Sequence, residues 1–168
     1  MIVACYRIYN VNTSTTNLDD VDRALLGYLG QAARATNAEL ADSVNMSQSA
    51  TLRRVRRLEN DGIIESYSVI ANRKAISRGT SVFVEITLNG QSDNQLDEFE
   101  AAVSECSDIL SCYLIAGGFD YLVHVACDDV TSYENIHRKH LAHLPHVARV
   151  QSSFALRTVV DRPATALL

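Results

Sequence analysis

From Leu18 onward the apolar positions Leu18, Val21, Leu25, Leu26 and Leu29 recur every three or four residues, the spacing that lines one face of an α-helix. Asp19 is placed to cap that helix. Thr36 and Glu39 then stand at the separation of a capping box: the Thr36 hydroxyl accepts from the Glu39 backbone N–H while the Glu39 carboxylate reaches back. A second helix therefore starts at Thr36 and ends near Val44. Asn45 tolerates the left-handed conformation that closes a helix, and Ser47 is a good N-cap for a third helix running to about Asn60, which Asp61-Gly62 stops. The short turn between the second and third helices predicts a helix-turn-helix.

Beyond Gly62 the pattern turns strand-like over residues 63–70, and a polar stretch without period, 71–79, reads as a linker. Val82, Val84, Ile86 and Leu88 alternate with Phe83, Glu85 and Thr87, which predicts a half-buried strand. Leu96, Phe99 and Val103 mark a helix over 93–104. Two apolar runs, 109–116 and 121–127, flank Gly117-Gly118-Phe119-Asp120, a tight connection. A helix over 130–144 is stopped by Pro145, and 147–160 supplies a last, long strand. This order predicts an α+β chain: a winged-type helix-turn-helix domain followed by a βαββαβ ferredoxin-like domain whose two helices share one face of an antiparallel sheet. The domain boundaries expected are an extension at 1–17, a helix-turn-helix at 18–70, the linker at 71–79, the ferredoxin-like domain at 80–160 and a tail at 161–168. The polar, turn-rich extension reads as an arm with one strand at most.

A hydrophobic fraction of 47% with 21% charged residues in 168 suffices for one ordinary domain or two small ones and excludes a disordered or fibrous chain. No apolar run is long enough to span a bilayer, and residues 1–9 lack the pattern of an export leader, so a soluble cytoplasmic protein away from membranes is expected. Cys5, Cys106, Cys112 and Cys127 lack CxxC spacing and sit among apolar neighbours, the pattern of reduced, buried thiols.

The net charge of −5 argues against nucleic acid only until it is divided along the chain. Residues 18–74 hold eight basic and eight acidic side chains, whereas 75–168 hold six basic and twelve acidic. Within the neutral part, Arg53, Arg54, Arg56 and Arg57 fall in five consecutive positions with no acidic residue among them. In the third helix Thr51, Val55 and Leu58 should face the first two helices, leaving Gln48, Ser49, Leu52, Arg53 and Arg56 outward. A run of charge on an isolated helix is usually a solvated face. Here the run has one sign and follows a capped turn at the spacing of a DNA reader, which makes double-stranded DNA the expected partner.

These residues carry a resemblance. Leu18-Asp19-Asp20-Val21-Asp22, Ala38-Glu39-Leu40-Ala41, Ser47 and the run Arg54-Val55-Arg56-Arg57-Leu58-Glu59-Asn60-Asp61-Gly62-Ile63-Ile64 resemble the Lrp/AsnC, or feast/famine, transcription regulators. Phe83-Val84-Glu85-Ile86, Ala116-Gly117-Gly118-Phe119-Asp120-Tyr121 and Leu144-Pro145-His146-Val147 extend the match through the second domain. The resemblance implies a DNA-binding set of Ser47, Gln48, Ser49, Leu52, Arg53, Arg54, Arg56 and Arg57. Gln48, Ser49 and Arg53 would read bases, and Arg54, Arg56 and Arg57 would hold phosphates.

For the second domain the resemblance implies dimers formed through the sheets, assembly into an octamer as a tetramer of dimers, and a small amino acid as effector. Adjacent glycines at 117 and 118 let a ligand approach the backbone and expose N–H groups to a carboxylate, and Asp120 is placed to accept from an ammonium group. The same glycines also suit an ordinary hairpin that Asp120 caps. Effector positions implied by the family are Leu114, Asp120, Val130, Ser153, Phe154 and Ala155, with Gly117, Gly118, Phe119 and Tyr121 on the turn itself. Which amino acid is sensed does not carry over, and no further cofactor is implied. Residues 1–17 have no counterpart in the resemblance.

The sequence bears on three other functions. His137, His140, His143 and His146 recur every third residue, but His143 rotates away on a helix and His146 lies beyond Pro145, so four imidazoles do not converge on a metal. No catalytic spacing such as GxSxG or a phosphate-cradling loop is present, so no enzyme is expected. A regulator that organises DNA constitutively, without a small-molecule ligand, remains the principal alternative.

Overall fold

The computed structural model describes residues 17–167, and the arm at 1–16 lies outside them. The chain divides into two compact units, one holding the helices up to Ile70 together with Val159–Leu168, the other spanning Ala71–Thr158. No helix among the described residues is long and apolar enough to cross a membrane.

In the head, α1 (Asp20–Gln31), α2 (Asn37–Ser43) and α3 (Gln48–Asn60) form where the spacing predicts them. Asp19 and Asp22 make a capping box on α1, Thr36 and Glu39 make one on α2, and the Ser47 hydroxyl accepts from Ala50 N at the start of α3. Asn45 has the left-handed φ of 52° that closes the α2–α3 turn, and Gly62 at φ 70° ends α3. Leu25, Leu29, Leu40 and Val55 form the small core, with Val21, Val44 and Ile64 packed on its margin.

The strand expected over 63–70 does not form. Those residues run without a ladder partner among the described residues, and Val69 and Ile70 are exposed. Apolar β-formers make a strand only where another strand supplies hydrogen bonds. The segment is tied down instead at Tyr67, whose hydroxyl donates to Glu59 on α3 at 2.9 Å. Within the expected linker, Arg73–Ile76 forms a 3-10 turn capped by the Asn72 side chain.

The second unit follows the expected order: β1 (Thr80–Leu88), α4 (Asp93–Ser104), β2 (Ile109–Leu114), β3 (Tyr121–Cys127), α5 (Val130–Lys139) and β4 (Val147–Phe154). The strands lie in the order β2-β3-β1-β4, every pair antiparallel. Val82, Val84, Ile86 and Leu88 of β1 share one buried cluster with Val123 and Val125 of β3, Phe99 of α4 and Ile136 of α5, which puts both helices on one face. On the other face Phe83 stacks on His124, and the His124 ring bonds the Ser81 hydroxyl. Two elements are shorter than the pattern predicts. α5 gives way after Lys139 to a 3-10 turn, Leu141–His143, and β4 ends at Phe154, opposite Val82 of β1, with Ala155 N still donating to the Ser81 carbonyl.

Of the cysteines, Cys106 and Cys127 are buried, Cys112 is half-buried, and all three are free thiols. Burial pushes the Cys112 thiol up to about 12, so it is an inert packing group. Cys5 lies outside the described residues.

Candidate nucleic-acid interface and effector domain

The third helix sorts its own residues by period. Thr51, Val55 and Leu58 are buried against α1 and α2, while Gln48, Ser49, Leu52, Arg53 and Arg56 are exposed on the opposite side. Asn37 Nδ2 donates to the Gln48 carbonyl at 2.9 Å, which pins the entry of α3 to α2. Ser47 is occupied as the cap, with its hydroxyl 3.3 Å from that of Ser49.

The four arginines divide into two pairs, which their spacing alone does not show. Arg54 Nη1 donates to Asp19 at 2.7 Å and to Asp22 at 2.9 Å, and Arg57 Nη2 donates to the second oxygen of Asp22. The Asp22 side chain is 1% exposed. Its two oxygens thus accept from two arginines of α3, and Asp22 bolts the third helix to the first. Arg54 and Arg57, expected as phosphate holders, both pair with Asp22; Arg54 is 25% exposed, while Arg57 stays 43% exposed beside the outward face. Hydrogen bonds from the Asp22 backbone N–H and from Arg54 hold the Asp19 carboxyl below its usual range, and the same pairing raises Arg54. Arg53 and Arg56 make no ion pair among the described residues; with Ser49, Leu52, Arg57, Asn60 and Asp61 they line a shallow surface groove. Asp22 is the functional residue that the sequence analysis missed, since its spacing from Asp19 signals a helix start and nothing in the sequence shows that its carboxylate is buried.

In the second unit the expected effector residues fall into two groups. Leu114, Gly117, Gly118 and Phe119 lie at and beyond the end of β2, where Ile115 N donates to the Asp120 carbonyl at 2.8 Å to close the turn. Neither glycine has a positive φ. A side chain at Gly118 would meet nothing within 4 Å, and one at Gly117 only Ile115 at an ordinary 3.4 Å. The turn itself therefore does not require glycine at either position. Asp120 faces inward: it is 7% exposed, and its oxygens accept from Leu88 N at 2.7 Å and Gln91 Nε2 at 2.5 Å. That corrects its expected role, because the carboxylate joins the turn to the end of β1 instead of standing open to an ammonium group. Tyr121 is also interior, its ring tilted at 34° against Phe99, with its hydroxyl donating to Glu100 at 2.8 Å.

The other group is Val130 at the start of α5 and Ser153, Phe154 and Ala155 at the end of β4. Val130, Ser153 and Phe154 are exposed, and Tyr133 packs edge-on against Phe154 while its hydroxyl meets Ser152 at 2.5 Å. Since β2 and β4 are the two outer strands and Leu114 lies level with Val150, four residues from Phe154, the groups are separated by about 14 Å across the sheet and about 13 Å along it. One chain does not bring them together around a small molecule.

The histidines do not converge. His146 bonds Glu98 at 2.7 Å, His140 approaches Asp108, and His137 lies against Tyr133. No group of three or more metal-ligating side chains occurs among the described residues.

The comparisons with known proteins match these two units. A winged helix-turn-helix DNA-binding model matches residues 18–65, and an Lrp/AsnC ligand binding domain model matches 81–165. The chain is 35% identical over 153 residues to a proline dehydrogenase transcriptional activator of Rhodobacter capsulatus, covering 91% of this chain and 99% of that one. It is 37% identical to a leucine-responsive regulatory protein of Salmonella typhimurium over 78% of this chain and 80% of that one. A transcriptional regulator of Neisseria meningitidis, solved in complex with L-methionine, superposes with a TM-score of 0.82 at 28% identity, covering 90% of this chain and all of that one. The chain belongs to the Lrp/AsnC family of transcriptional regulators, with a DNA-binding head and a ligand-binding domain.

Proposed function

We propose that this regulator reads duplex DNA with α3 and that a small amino acid modulates its binding or assembly. The observation that carries the DNA half is the division of the arginines: Arg53 and Arg56 stand on the exposed face with no acidic partner among the described residues, while Arg54 and Arg57 hold the helix in place. Gln48, Ser49 and Arg53, near the N-terminal half of α3, take base edges in the major groove, and Leu52 offers an apolar contact to a thymine methyl. Arg56 neutralises a phosphate.

The effector half rests on Gly117 and Gly118. Their lack of a conformational or steric need within the chain supports close approach by another molecule, whose carboxylate would take their N–H groups. The split between this turn and the β4 end favours a site completed by a second copy, with Leu114 and residues 117–119 from one chain and Val130 and residues 153–155 from another. That fits a cytoplasmic homodimer or an octamer built from dimers, whose assembly the amino acid biases only through unequal affinity for the two states.

Incubating the purified protein with fragmented genomic DNA, with and without a mixture of the common amino acids, tests both halves. A selective pool of bound fragments that changes with the mixture is expected. An unchanging selective pool would replace this function with constitutive DNA organisation, and an unselective pool would remove the DNA reading.

A further inference from the structure

We infer that the segment after β4 is a strap that docks on the DNA-binding head, seated on α1 at Gly30. Residues 159–167 pack with the head, and the 3-10 turn Ala164–Leu167 lies against α1. This turn is closed by Ala166 N donating to the Pro163 carbonyl. Between Leu26, Leu29, Ile64 and Tyr67 on the head and Pro163 and Thr165 on the strap lies a groove of about 370 Å³.

Gly30 shows how close the seat is. It sits within α1 without a positive φ, where alanine would ordinarily stabilise a helix. A Cβ at Gly30 would stand 2.1 Å from Thr165 Oγ1 and 2.7 Å from Thr165 Cβ, far inside contact distance. Gly27, one turn earlier on the same helix, has open space around it. The two glycines of one helix thus meet different surroundings, and only the one under the strap has a steric reason to lack a side chain.

The occupant is this chain's own segment. It follows β4 after only residues 155–158 and belongs to the same compact unit as α1–α3. This inference concerns folding contacts alone and does not depend on which ligand the second domain takes.

Gly27→Ala and Gly30→Ala, each made in the full chain and in a chain ending at Val160, test it by thermal unfolding of the head. Gly27→Ala is expected to raise Tm by about 3 °C in both backgrounds. Gly30→Ala should give that rise only in the shortened chain, and no rise or a fall in the full one. Hydrogen exchange provides a second readout: ending the chain at Val160 should speed exchange about tenfold over residues 26–33 and 63–67 and leave β1–β4 unchanged. Equal gains from both alanines in the full chain, or exchange in the head indifferent to the strap, would overturn the inference.

Discussion

The carboxylate of Asp22 on α1 lies 2.9 Å from the guanidinium of Arg54 on α3, and its other oxygen accepts from Arg57. The side chain is 1% exposed, so its charge is tolerated only because the two arginines answer it. Asp22→Ala should cost about 2 kcal/mol of head stability, less than a fully buried pair would lose because both guanidinium groups still reach water. Denaturant unfolding measures the loss, and an unchanged midpoint would show that the clamp contributes nothing.

Acid should loosen the same joint. Asp19 is held below its ordinary value of 3.8, first by the Asp22 backbone N–H and then by Arg54. A carboxyl depressed in the folded state contributes stability that is complete above its unfolded value and is lost as pH falls through the folded one. Head stability should therefore decline below about pH 3.8 more steeply in the wild type than in Asp19→Asn, as followed by circular dichroism. Parallel acid curves would remove Asp19 from the account.

The turn offers a separation of fold from response. Gly118→Ala meets no atom within 4 Å and no conformational barrier, so its Tm should equal that of the wild type. The added methyl group should weaken the amino-acid response about tenfold by standing where a ligand approaches the backbone. Asp120→Ala should instead destabilise the second domain by about 2 kcal/mol by leaving the Leu88 N–H without its partner. Calorimetric titration with single amino acids alongside thermal unfolding distinguishes the two, and a Gly118→Ala variant that responds normally would move the ligand elsewhere.

Much of this molecule is legible along the chain because its signals are local. Thr36 with Glu39, Asn45, Ser47 and Gly62 each act within a few residues, and each marks the helix boundary that forms. Alternation at Val82, Val84, Ile86 and Leu88 likewise fixes which face of β1 is buried. What the sequence hid depends on partners far away in it. Residues 63–70 have strand composition and no ladder partner among the described residues, and β4 stops at Phe154 although the expected strand ran to Val160. Arg54 and Arg57 look the same as Arg53 and Arg56 until α1 packs across α3 and brings Asp22 among them, more than thirty residues distant in sequence. Asp120 reads as a turn residue free to bind, yet folding directs it at Leu88 and Gln91.

On the proposed function, Arg53 and Arg56 meet DNA while Arg54 and Arg57 hold the helix that carries them. The most direct test of this division is the salt dependence of binding to one DNA fragment selected from the genomic pool, measured for Arg56→Ala and Arg54→Ala beside thermal unfolding. Arg56→Ala should reduce the slope of log affinity against log salt by about one per protomer with Tm unchanged, whereas Arg54→Ala should lower Tm and leave the slope near the wild-type value. An unchanged slope in Arg56→Ala, together with a reduced slope and an undisturbed Tm in Arg54→Ala, would contradict the division.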